Sequence, residues 1–191
     1  MAEPSAAGKP ALRRAFRSRR AALQAAAQGP LLAMARRELP GRLAAGARLG
    51  IYWPLAGEAD LRGLAAEPGL RGRLALPWVG GGALHYRPWG PDTPLSPDDT
   101  GIPAPAQGPQ LEPQQLGLLL VPALACDRQG FRLGYGGGWF DRLRSAAPWR
   151  AVPALAVLPQ GCLVERLPHD PWDVPLDGWL HEGGLHWLQP V

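Results

Sequence analysis

The chain has 191 residues, 46% hydrophobic and 19% charged, with 8 Trp and a net charge of +4. That length suits one domain burying about 70% of its unfolded surface, and it excludes a large multidomain machine. Gly (25) and Pro (23) warn of disorder, but the hydrophobic share and the tryptophans belong to a folded protein rich in turns.

In chain order, residues 1–8 read as a loose tail. Pro10 suits the first turn of a helix, where its missing N–H costs nothing. Leu12, Phe16, Arg19 and Leu23 follow at helical spacing, and Lys9, Arg13, Arg17 and Arg20 form one stripe along a face. Gly29-Pro30 predicts a break, with a second helix over 31–45. Residues 48–55 predict a strand and 58–66 a short helix. Residues 73–79 and 83–89 predict two strands joined by the turn Gly80-Gly81-Gly82. Residues 90–115 read as a long Pro-rich loop, functional or disordered. The apolar run 116–126 has buried-strand length without alternation, as in a parallel sheet covered on both faces. A helix over 139–146, a buried strand over 151–158 and a last strand over 174–182 complete the reading. Strands interleaved with helices predict an α/β layered fold. A single domain over 1–191 would carry a mostly parallel central sheet flanked by helices.

Nineteen of the 20 basic residues are Arg, and Lys9 is the only Lys. Residues 1–50 hold ten basic and two acidic side chains (+8), and residues 51–191 hold ten and fourteen (−4). A basic segment of this kind meets phosphate on a nucleotide or a nucleic acid, or is a solvated helix face. Cys126 and Cys162 lack metal-ligand spacing and read as packing thiols of a reducing compartment, with a disulfide as the alternative. No apolar run reaches transmembrane length, and no apolar stretch follows the N-terminal charges. A cytoplasmic protein without a membrane partner is expected.

The segment RLGYGGGWFDR (132–142) follows a buried strand and a turn and leads into a helix. Glycines bring backbone N–H groups close to a ligand, so the expected occupant is an anion, most often phosphate. No Gly-Lys-Ser/Thr follows, and Trp139 stands where GxGxxG needs its last Gly, so the common nucleotide fingerprints fail. A plain Gly-rich turn is the alternative. Asp141 either favours the helix start or holds Mg²⁺ beside a bound phosphate.

VPALACDRQGFRLGYGGGWFDR (121–142) closely resembles the signature of the 5-formyltetrahydrofolate cyclo-ligase (5,10-methenyltetrahydrofolate synthetase) family. Three other stretches agree in order: Lys9-x-x-x-Arg13, IYWPLAGE (51–58) and DVPLD (173–177). The resemblance implies ATP, Mg²⁺ and a small-molecule folate substrate, with neither nucleic acid nor membrane as partner and a monomeric protein. It implies ATP contacts from Lys9, Arg13, Arg132, Leu133, Gly134, Tyr135, Gly136, Gly137, Gly138, Trp139 and Phe140. Folate contacts would come from Trp53, Glu58, Tyr135, Gly136, Gly137, Gly138 and Trp139, and Mg²⁺ ligands from Asp141 and Asp177. The implied reaction converts 5-formyltetrahydrofolate to 5,10-methenyltetrahydrofolate with release of ADP and phosphate. Lys9, Arg13 and Arg132 would support phosphoryl transfer without a dedicated catalytic side chain. Trp139-Phe140 replace the family's usual Tyr-Tyr, Cys126 replaces its Phe, and either Asp170 or Asp173 matches its C-terminal motif.

Overall fold

The computed structural model describes residues 8–189; nearly all of the expected loose tail lies outside them. Helix α1 (Lys9–Glu38) starts with Pro10 in its first turn. It does not break at Gly29-Pro30: one helix of 30 residues replaces the two expected. Pro30 and Ala26, whose carbonyl loses its donor, are both exposed, so water can take the freed acceptor. Ala27, Leu31 and Ala35 keep one face buried through the proline. Gln28 also latches that turn to the backbone of Asp60, donating to its carbonyl (2.8 Å) and accepting from its N–H (2.9 Å).

Seven strands form the main sheet: β1 (Arg48–Gly50), β2 (Leu74–Gly80), β3 (Ala83–Trp89), β6 (Leu116–Pro122), β9 (Ala154–Val157), β11 (Gly178–His181) and β12 (Gly184–Trp187). Their order is β12-β11-β9-β6-β1-β2-β3. The five inner strands run parallel, and β3 and β12 add an antiparallel edge at either side. The strand expected over 48–55 is thus only three residues long. The strand expected to be last is followed by β12, paired across a tight turn.

Successive residues of the central strands feed opposite faces, as a pleat requires. Leu119 and Val121 enter one hydrophobic cluster with Phe16, Val79 and Ala156. Leu118 and Leu120 enter the other with Leu31, Leu64 and Leu155. Both clusters being closed explains why 116–126 reads as continuously apolar. That run ends in two elements: β6, then β7 (Ala125–Asp127), which pairs with β8 (Arg132–Leu133) and β10 (Leu163–Val164) in a small second sheet.

The 90–115 segment is not a structureless loop. It folds as a hairpin of β4 (Leu95–Pro97) and β5 (Pro103–Pro105), followed by a single 3-10 turn, Pro113–Gln115. Pro ends the ladder early, but Asp98 replaces the missing bonds. Its carboxylate accepts N–H from Val79 (2.9 Å), Thr100 (2.8 Å) and Ile102 (3.2 Å), which pins the hairpin to β2. Cys126 and Cys162 are both buried free thiols, and burial pushes Cys126 up to about 12.

Candidate functional site

The strand order reverses at β1: the chain moves outward to β2 and β3, then returns to β6 on the other side. In open α/β sheets the carboxyl ends at such a reversal leave a crevice. A cavity of about 690 Å³ opens there, lined by Tyr52 and Trp53 beyond β1, Val79 from β2, and Pro122 at the end of β6. That volume suits a cofactor-sized ligand.

One end of the cavity is the glycine loop. It runs from Gly134 to Gly138 and enters α2 (Trp139–Ser145), which occupies nearly the expected span. None of the backbone N–H groups from Gly134 through Phe140 meets a protein acceptor among the described residues. Gly138 is left-handed (φ 63°) at the start of α2, a conformation that disfavours a side chain. Gly136 has φ 108°, and a Cβ there would meet the Arg13 guanidinium at 3.5 Å. The loop is therefore a concave backbone surface with free donors, beside cations.

Those cations are placed by distant segments. Arg13 Nε donates to the Gly134 carbonyl at 3.0 Å, so α1 is tied directly to the loop. Arg132 has a side chain 7% exposed and pairs with Asp141 at 2.8 Å, while its Nε finds no partner among the described residues. Lys9 Nζ lies 2.5 Å from both Asp170 and Asp173. Burial pulls the Lys9 ammonium down, but the two carboxylates outweigh it and raise its pKa. Burial likewise pushes Asp173 up, and Lys9 reverses this to a net lowering. Both candidates for the C-terminal aspartate thus face Lys9 at the cavity.

The other end is apolar, walled by Trp53, Leu55, Val79, Leu84 and Ile102. Glu58 stands there, buried, with Oε2 accepting from the Leu55 N–H (2.8 Å). Its Oε1 has no hydrogen-bond partner among the described residues. Burial raises the Glu58 pKa, and the Leu55 N–H, Arg20 and Tyr135 each pull against that rise.

Arg20 is the residue that sequence reasoning missed. It belongs to the basic stripe, yet it is 2% exposed. It donates to the carbonyls of Ala123 (3.4 Å) and Ala56 (3.3 Å) and to the Tyr135 hydroxyl, and lies 3.8 Å from Glu58. Arg17, the exposed member, lies over the Tyr135 ring. The stripe is therefore turned toward the protein's own loops and is not a solvated face. The only signal in the sequence was the helical spacing of Arg20 with Lys9 and Arg13.

The structure brings together Lys9, Arg13, Trp53, Glu58, the whole 132–140 stretch and Asp141. It does not bring Asp177 to them. Asp177 sits at the start of β11, and its carboxylate accepts from the Ala154 N–H at the amino end of β9 and from Arg144. Those are the opposite ends of the parallel strands from the cavity, so Asp141 and Asp177 do not share one ion here. β11 begins at Gly178, so Asp177 caps the edge of the sheet away from the cleft.

Fold and site together define an α/β protein in which a glycine loop with free backbone donors faces an apolar pocket across one cleft. The comparisons with known proteins narrow this. The model of the 5-formyltetrahydrofolate cyclo-ligase family matches residues 5–182. The chain is 31% identical over 134 residues to a 5-formyltetrahydrofolate cyclo-ligase of Haemophilus influenzae, covering 67% of this chain and 72% of that protein. A stretch of 60 residues is 45% identical to one from Mycolicibacterium smegmatis, 31% of this chain and 30% of that one. Among solved structures, Aquifex aeolicus 5,10-methenyltetrahydrofolate synthetase superposes with a TM-score of 0.76 at 26% identity, covering 96% of this chain and 94% of that one. The chain belongs to the 5-formyltetrahydrofolate cyclo-ligase family.

Proposed function

We propose that this protein converts 5-formyltetrahydrofolate to 5,10-methenyltetrahydrofolate, using ATP and Mg²⁺ and releasing ADP and phosphate. The observation that carries the reading is one cavity that joins the free N–H groups of the glycine loop to the apolar pocket around Glu58. Family membership supplies the substrate class.

A formamide carbonyl is a weak electrophile, and its oxygen is a poor leaving group. Transfer of the γ-phosphoryl of ATP to that oxygen cures both defects. N10 of the folate then attacks the activated carbon, and the oxygen departs as phosphate while N10 gives up its proton. Such chemistry asks the protein for position and charge more than for a nucleophile. The loop N–H groups would receive phosphate oxygens, with Lys9, Arg13 and Arg132 as the surrounding cations. Lys9 is held by Asp170 and Asp173, so phosphate must draw it away from them. The Trp53 side of the pocket would take the folate ring system, and the Glu58 carboxylate, which lines the same pocket, would accept one of its N–H groups.

Mg²⁺, when bound, neutralises charge on the transferring phosphates. It is commonly held by one or two carboxylates plus substrate phosphates, so it needs no dedicated cage. No cluster of three or more His, Cys, Asp or Glu occurs among the described residues, which fits this mode. Asp141 would hold it beside the loop; Asp177 is placed too far along the sheet to join.

The test is to mix purified protein with 5-formyltetrahydrofolate and follow the methenyl product by ultraviolet absorbance, with and without MgATP. Product that forms only with MgATP is expected. Its absence would remove the cyclo-ligase reading.

A further inference from the structure

Arg20 has no place in the reaction as drawn, yet it is among the largest fully buried side chains. Burying a guanidinium is costly unless its partners are worth holding. Here the partners come from both halves of the cleft. One terminal nitrogen donates to Tyr135, which belongs to the glycine loop, and to Ala56, two residues before Glu58. The other donates to Ala123, one residue beyond β6, and faces Glu58 at 3.8 Å. Among the described residues, Arg20 Nε and Glu58 Oε1 stay without hydrogen-bond partners, so the cluster is incomplete on its own.

We propose that Arg20 is a positioning residue that couples the two halves of the cleft, so that nucleotide and folate bind with mutual reinforcement. This rests on the cyclo-ligase reading and adds to it. One planar guanidinium hydrogen-bonds Tyr135 and holds the Glu58 carboxylate by charge at 3.8 Å, which relates the two to each other. A nucleotide that orders the glycine loop fixes Tyr135, and through Arg20 it fixes the carboxylate that faces the folate. A folate that engages the Glu58 carboxylate, which lines the pocket, orders the same guanidinium from the other side. Coupling of this kind is reciprocal and commonly amounts to about 5- to 150-fold in affinity. A guanidinium that only anchors α1 to the core would give no such coupling.

The experiment is calorimetric titration of the full chain with a non-hydrolysable ATP analogue and Mg²⁺, with and without saturating 5-formyltetrahydrofolate, and the reverse. For the unaltered protein, each ligand is expected to tighten the other by about 5-fold or more. Arg20→Lys keeps the charge but loses the fork. Each ligand should still bind it alone, while the reinforcement falls close to unity. Near-ultraviolet circular dichroism checks its fold. Tyr135→Phe cuts the same tie while leaving Arg20 buried, should also lose reinforcement, and decides the matter if Arg20→Lys does not fold. If the unaltered protein binds both ligands without reinforcement, or a folded variant keeps it in full, the coupling role is wrong and the cyclo-ligase reading stands. If the unaltered protein binds neither ligand, both fall.

Discussion

Asp127 offers a sharp test of how the cleft is braced. It ends β7 and is fully buried. Its Oδ1 accepts N–H from Gln129 (2.9 Å) and Phe131 (3.0 Å), and its Oδ2 accepts from Leu167 (2.9 Å). The first two close the turn that leads into the glycine loop. The third holds the segment that carries Asp170 and Asp173 to Lys9. Asp127→Ala removes all three acceptors. Gln129 is exposed, so water replaces its bond at little cost. Leu167 is buried, and an orphaned buried donor costs about 1–3 kcal/mol. The half-buried Phe131 N–H adds a smaller amount, so the total loss is about 3 kcal/mol, or a fall of roughly 6–12 °C in Tm for a chain of this size. Urea unfolding followed by circular dichroism measures it. Asp127→Asn should lose less, because its carbonyl keeps the turn while its amide faces the Leu167 donor. A loss below about 1 kcal/mol for Asp127→Ala would refute this account of the bracing.

Three other outcomes follow from the same geometry. Lys9→Ala should raise the KM for ATP about 10-fold or more while leaving the KM for the folate nearly unchanged, by steady-state kinetics; a loss of one charge-assisted phosphate contact predicts that size. Burial raises the Glu58 pKa, so kcat/KM for the folate should fall with decreasing pH above the ordinary carboxylate range, and this limb should vanish in Glu58→Gln. The groups facing Glu58 are Arg20, Tyr52 and Tyr135, and Lys9, with its raised pKa, stays charged throughout. The linkage has the opposite sign to activity: a carboxyl raised on folding contributes stability at acid pH, and that contribution is lost as pH rises through its folded pKa. Pro30→Ala should stabilise the protein by about 1–3 kcal/mol in urea unfolding, because it restores a helix hydrogen bond at an exposed position.

The sequence determined whatever depends on local chemistry. Backbone freedom at Gly136 and Gly138 is a property of glycine, so the loop could be located, with an anion as its expected occupant, before any fold was known. The continuous apolar run 116–126 announced a strand covered on both faces. The helical spacing of Lys9 and Arg13 put both on one side of α1. Tertiary structure decided whatever depends on which segments meet. Arg17 and Arg20 share a stripe, yet Arg17 is exposed and Arg20 is sealed beneath loops from residues 56, 123 and 135. Pro30 sits inside a helix because the buried Leu31 and Ala35 and the Gln28 latch offset one lost hydrogen bond. The Pro-rich segment folds because one carboxylate, Asp98, gathers three backbone donors. Asp141 and Asp177 look alike as acidic residues beside apolar runs. Sheet topology alone sends one to the cleft and the other to the far end of the parallel strands, because a strand's two ends lie on opposite edges of the sheet.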